Sequence, residues 1–230
     1  TVIHDITPIL FPHLHRWHSQ FLQNVFLKRI LNRTDCIIAN SQNTAKDIAK
    51  QYPQNKDKIA TILLGKEKLF KPRHDRSIFA KYNLPEKYFL FLGTIEPRKN
   101  LETLLKAYNQ FREKSDKKTP LVIVGGKGWK SESFFKALEK HPFKKDIILP
   151  GYVDRDDLPA FYSQTTAFIY PSLYEGFGLP VLEAMSCGAP CIVSDNSSLP
   201  EVGGDAALYF EAKDADKLAA HLKSLSLIHI

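Results

Sequence analysis

Residues 167–184, AFIYPSLYEGFGLPVLEA, decide the fold class. Four apolar residues, 167–170, form a short run of β-favouring character. A loop with Pro171, Gly176 and Gly178 follows. Pro180 then falls in the first turn of a helical pattern, and Gly188 falls just past its end. Those are the usual places of proline and glycine at the two ends of a helix. The unit is strand, tight turn, helix.

The same succession recurs outward in both directions. Strand-like runs lie at 36–39, 59–64, 88–92, 121–124, 147–149, 191–194 and 208–210, with helical spacing between most of them. Asn100 is placed to cap a helix carrying Leu101, Leu104, Leu105, Tyr108 and Phe111 on one face. Asp154 is placed to cap the next, with Leu158, Phe161 and Tyr162 inward, and Asp214 to cap the last. Strand and helix in alternation predict an α/β fold with a parallel, doubly wound sheet covered on both faces. The stretch 71–85, rich in Pro, Lys and Arg, breaks the rhythm and is expected to be a linker. Residues 1–70 then form the back half of a first Rossmann-like domain, and 86–224 most of a second. Residues 225–230, LSLIHI, do not continue the pattern of the helix before them. They match a translated transposase sequencing adapter and are left out of the fold expectation.

Composition bounds the function. Of 230 residues, 43% are hydrophobic and 25% charged, enough apolar material for a packed core and against intrinsic disorder. The formal net charge of +7 favours anionic partners such as nucleotide phosphates, acidic lipids or nucleic acid. No apolar run approaches the length of a membrane-spanning helix. Three cysteines without a Cys-x-x-Cys disfavour a disulfide scaffold and favour a reducing compartment.

Three loops carry residues suited to chemistry. In 174–184, Glu175 and Glu183 frame Gly176 and Gly178 at a helix start. The glycines let backbone approach a ligand, the helix amides favour negative charge, and a carboxylate accepts two hydrogen bonds from a vicinal diol such as a ribose. In 93–100, GTIEPRKN, Arg98 and Lys99 sit between a strand end and a helix, where a guanidinium and an ammonium would neutralise a diphosphate leaving group. The glycines Gly125, Gly126 and Gly128 mark a close backbone approach after another strand. His4 and Asp5 end the first strand. Other groupings read as structural. Asp154, Asp156 and Asp157 are explained as helix-start acids rather than a metal site. His13, His15 and His18 with Cys36 have no metal-ligand pattern, and no serine has a nucleophile-elbow setting.

Together these motifs resemble glycosyltransferase family 4, the retaining nucleotide-sugar transferases of GT-B fold, over the whole chain to about Ser224. The pieces fall in the family's order: His4-Asp5, GTIEPRKN at 93–100, Gly125-Gly126, Gly151-Tyr152-Val153, Glu175 through Glu183, and Pro200-Glu201-Val202. The GTIEPRKN variant is most similar to mannosyltransferase-type members. The resemblance implies two Rossmann-like domains, the first truncated, and a nucleoside-diphosphate sugar as co-substrate with no metal or other cofactor. It implies that Arg98 and Lys99, with Gly93, Thr94 and Gly125 around them, hold the diphosphate. Glu183 would bind the ribose, and the backbone at Tyr152 and Val153 would meet the base. Glu175, with Phe177, Gly178 and Leu179, would hold the sugar and phosphate. His4 would reach the transferred sugar from the other domain. Thr94 stands where some members carry a phosphate-binding arginine. The implied acceptor is a saccharide or lipid-linked hydroxyl, with no nucleic acid partner, in the cytoplasm. Residues 13–33, which mix Trp17, Phe21 and Phe26 with Arg16, Lys28, Arg29 and Arg33, would suit a peripheral membrane contact. A nucleotide-sugar epimerase of the same fold, or a non-catalytic anion-binding module, are the competing readings.

Overall fold

The computed structural model describes residues 1–14 and 26–227. Most of the proposed membrane-contact stretch therefore lies outside the described residues, as do 228–230. Among the described residues, no helix is long and apolar enough to cross a membrane.

The chain divides into two compact units. The first comprises Thr1–Gly65 together with two loops from far along the sequence, Tyr174–Gly178 and Asn196–Val202. Its sheet has three parallel strands in the order β1 (Val2–Ile3), β2 (Ile37–Ala39) and β3 (Ile59–Thr61). Helices α1 (Thr7–Leu10), α2 (26–33) and α3 (Gln42–Gln51) accompany it. Ile6, Leu27, Leu31, Ile37, Ala39, Ile48 and Tyr52 form its core.

The second unit holds the remainder, including the stretch expected as a linker, which here contains the short helix α4 (Ser77–Lys81). Its six strands are β4 (Phe89–Leu92), β5 (Leu121–Val124), β6 (Ile147–Gly151), β7 (Ala167–Tyr170), β8 (Cys191–Ser194) and β9 (Ala207–Phe210). All pair in parallel, in the order β6-β5-β4-β7-β8-β9. β5, β7 and β8 are buried at every residue, as a sheet covered on both faces requires. Helices α5 (Leu101–Lys114), α6 (Glu132–Glu139), α7 (Leu158–Ser163), α8 (Leu179–Ser186) and α10 (Ala215–Ser226) alternate with its strands, while α9 (Leu199–Gly203) falls almost wholly in the Asn196–Val202 segment of the first unit. The strand order reverses between β4 and β7. In open parallel sheets, ligands bind beyond the carboxyl ends of the strands at this switch point.

Two expected caps are replaced by other contacts. Asn100 adopts left-handed backbone (φ 55°) and its amide donates to the carbonyls of Pro171 (2.9 Å) and Ala212 (2.6 Å) rather than capping α5. The side chains of Asp154 and Asp157 do not cap a helix but flank Lys81 Nζ at 2.6 and 2.7 Å. Asp214 caps α10 as expected, accepting from the Lys217 amide at 2.8 Å. That helix also runs on through Leu225, which is buried in register with Leu218 and Leu222, so the expected break in pattern before it is absent.

Candidate active site

In the second unit, the loops after β4, β5 and β6 are laced together by their backbones. Gly93 N donates to Val124 O (3.0 Å), Ile95 N to Gly126 O (3.0 Å), Gly128 N to Ile95 O (2.9 Å) and Gly125 N to Gly151 O (3.2 Å). A Cβ on Gly125, whose φ is +144°, would lie 2.0 Å from the Gly93 carbonyl oxygen. One on Gly128 would lie 2.7 Å from the Thr94 methyl. The backbone that these glycines admit is thus the neighbouring loop. Thr94 itself is exposed.

The lacing presents Arg98 and Lys99 beside the switch point, in the turn Pro97–Lys99 that leads into α5. Neither is a freely solvated cation. Arg98 donates to the Glu96 carboxylate at 2.7 Å, with side-chain exposures of 16% and 2%. The Arg98 carbonyl accepts from the Leu173 amide at 2.8 Å, which ties this loop to the one after β7. Lys99 is 7% exposed. Its Nζ lies 2.5 Å from the Tyr170 hydroxyl and 4.7 Å from that ring's centroid. Lys99 is thus a buried ammonium beside the switch point.

Glu183 projects from α8, half-buried, and accepts a hydrogen bond from the Tyr162 hydroxyl at 3.0 Å. Burial raises its carboxyl above the usual range, and the Tyr162 bond partly offsets that shift. Leu179 opens α8 and is 39% exposed. Beyond β6 the chain bends at Gly151 (φ +79°), leaving Tyr152 82% exposed and Val153 buried.

In the first unit, Glu175 is only 8% exposed. Its amide donates to Ser197 Oγ (2.9 Å), and the Ser198 hydroxyl lies 2.9 and 2.8 Å from the carbonyls of Glu175 and Phe177. Gly176 presses against the first strand's end: a Cβ there would lie 2.0 Å from the His4 carbonyl oxygen. The Gly176 carbonyl accepts from Ser41 Oγ (2.7 Å) and Thr44 Oγ1 (3.0 Å). Tyr174 bonds Asp47 through its hydroxyl. The Glu201 carboxylate receives the first two amides of α3, those of Gln42 and Asn43, at 2.7 Å each. Gly178 (φ +107°) faces Leu199.

The structure therefore brings the sequence-predicted residues into two groups. His4, Glu175, Phe177 and Gly178 share the first unit. Gly93, Thr94, Arg98, Lys99, Gly125, Tyr152, Val153, Leu179 and Glu183 share the second. Sequence reasoning missed Glu96, Tyr162 and Tyr170, which touch the charged members, and Glu201, whose carboxylate was read only as part of a motif. The one signal for Tyr162 was a tyrosine where a phenylalanine would fill the same apolar face.

Residues 74–228 match the family described as glycosyl transferases group 1. The chain is 35% identical over 96% of its length to O-antigen chain mannosyltransferase B of Escherichia coli, and spans 59% of that protein. It is 29% identical over 97% of its length to O-antigen chain mannosyltransferase RfbU of Salmonella typhimurium, again spanning 59%. Among solved structures it superposes on sucrose-phosphate synthase of Thermosynechococcus elongatus with a TM-score of 0.79 at 23% identity, covering 98% of this chain and 60% of that one. It superposes on Anabaena HepE, solved with UDP and glucose, with a TM-score of 0.74 at 18% identity, covering 98% and 65%.

Proposed function

Because the chain belongs to the glycosyl transferases group 1, we propose that it transfers a hexose, with mannose the first assignment, from a nucleoside-diphosphate sugar to a hydroxyl of a saccharide or lipid-linked acceptor. The observation that carries this reading is the pairing of Arg98 and Lys99 at the β4–β7 switch point with Glu183 on the helix that follows β7. The cations suit a diphosphate and the carboxylate suits a ribose diol. The names of the relatives support mannose and O-antigen synthesis. The UDP complex of HepE supports a nucleotide donor.

In this reading Glu183 accepts hydrogen bonds from the ribose hydroxyls, and Arg98, oriented by Glu96, stabilises charge on the diphosphate with Lys99. The backbone at Tyr152 and Val153 meets the base. Glu175, held by Ser197 and Ser198 through its backbone, orients the sugar with the amides of Phe177, Gly178 and Leu179. His4 contacts the transferred sugar. The acceptor oxygen forms its bond to the anomeric carbon on the face that the diphosphate leaves. The carbon–phosphate-oxygen bond breaks with its electron pair on phosphate, and the acceptor proton passes to that phosphate oxygen. The configuration is retained. Charge neutralisation by side chains supplies what the leaving group needs.

The test is incubation with a guanosine or uridine diphosphate sugar, with and without acceptor. Acceptor-dependent glycoside formation is expected; an altered free sugar without acceptor would instead indicate an epimerase. In parallel, replacing both Arg98 and Lys99 by Ala should weaken calorimetric binding of the nucleoside diphosphate by about 100-fold or more, since charge-assisted hydrogen bonds are worth about 1.5–3 kcal/mol each. Unchanged affinity would remove both residues from the site.

A further inference from the structure

Tyr162 is fully buried on α7, yet its hydroxyl needs a partner that an apolar core does not offer. The ring is clamped edge-on between Phe70 (centroids 6.1 Å) and Phe168 (5.2 Å), so a phenylalanine would pack in the same place. What the hydroxyl adds is one directed bond. Among the described residues its partner is Glu183 Oε2 at 3.0 Å. The same aromatic floor continues from Phe168 to Tyr170 (5.7 Å, stacked), whose hydroxyl meets Lys99. Two buried tyrosines thus end on two of the charged side chains read as donor contacts.

We infer that Tyr162 is a positioning residue for the nucleotide's ribose: by holding Glu183 Oε2, it fixes the carboxylate so that its remaining lone pairs meet the two ribose hydroxyls. This rests on the assignment of Glu183 to the ribose. A glutamate on a helix has three rotatable torsions. A ligand that must freeze them itself loses affinity, whereas a carboxylate already fixed by a rigid donor does not. Burial of Tyr162 also pushes its phenol well above its ordinary value, so it remains a donor at every working pH.

The experiment titrates the 230-residue chain with guanosine and uridine diphosphates and with their 2′,3′-dideoxy analogues, for wild type, Tyr162→Phe and Glu183→Gln. Thermal melting establishes that each variant is folded. Tyr162→Phe is expected to weaken the better ribose-bearing ligand by about tenfold and leave its dideoxy analogue within about twofold of wild type. A structural role would move both ligands alike, and equal losses would overturn the inference. It is also overturned if Glu183→Gln shows a loss confined to the ribose ligand while Tyr162→Phe shows none; the ribose assignment then stands. If Glu183→Gln loses no ribose-dependent affinity, or wild type binds neither diphosphate, the underlying assignment fails and takes the inference with it.

Discussion

At the scale of single residues, Glu183 is under opposed demands. Burial raises its carboxyl above the usual carboxylate range, with Glu67 nearby acting in the same direction, while Tyr162 and Arg155 act against the shift. The unfolded chain ionises this group in the ordinary range. Its contribution to folding is therefore fully present below that range and falls as pH rises through the raised native value. Ligand binding has the opposite sign, because the ribose hydroxyls need an ionised acceptor. Nucleoside diphosphate affinity should fall from neutral to acidic pH as the carboxyl protonates, at higher pH than for an exposed carboxylate. In Glu183→Gln that part of the fall should vanish, with stability at about pH 7 unchanged or slightly raised. Calorimetry and thermal melts at neutral and acidic pH check the two signs. If the affinity profiles of wild type and Glu183→Gln run parallel with pH, Glu183 is not the titrating ligand group.

At the scale of elements, the glycines set how closely loops approach. Gly125→Ala forces a side chain onto a backbone with φ +144° and into the Gly93 carbonyl. It should cost about 3 kcal/mol by denaturant melts. Two helix caps offer a matched comparison. Asp214 only caps, whereas Ser41 accepts from the Thr44 amide and also donates to Gly176 O. Asp214→Ala should cost about 1 kcal/mol and Ser41→Ala about twice that. Equal losses would mean that the Ser41–Gly176 bond contributes nothing. The strands and the helices α5, α7, α8 and α10 were legible in the sequence, whereas α4 falls in the stretch read as a linker. Apolar runs such as 121–124 and 167–170 stand out because parallel strands are buried on both faces. The misreadings lie where a local rule met a stronger distant partner. Asn100 gave up its cap for two carbonyls more than 70 residues away, and Asp154 gave up its cap for Lys81. Arg98, Lys99 and Glu183 could be picked out as charges at turns, but Tyr162 was hidden among core aromatics because hydropathy does not report where a hydroxyl points.

At the scale of the whole molecule, the two units are unequal. The second has six strands and an aromatic core. Among the described residues the first has three short strands and leaves Val2, Phe26, Ile30, Ile62 and Leu63 about half exposed. Opening free energy follows buried apolar contact and paired backbone. Amides of β2 and β3 should therefore exchange with solvent faster than those of β4, β5, β7 and β8 under native conditions. Hydrogen exchange read by mass spectrometry checks this. Equal protection would mean that the first unit opens only when the whole chain unfolds.

The first unit's two borrowed loops carry a consequence for the order of events on the ribosome. Ser41 finds Gly176 across 135 residues, and Gln42 finds Glu201 across 159. At synthesis rates of about 5–20 residues per second, residues 1–65 emerge roughly five to twenty-five seconds before the loops that complete them. During that interval the α3 N-terminus lacks the Glu201 carboxylate and the Ser41 hydroxyl lacks its acceptor. Residues 1–65 are thus completed only by chain made more than 100 residues later, and a nascent chain stalled before residue 174 lacks both loops.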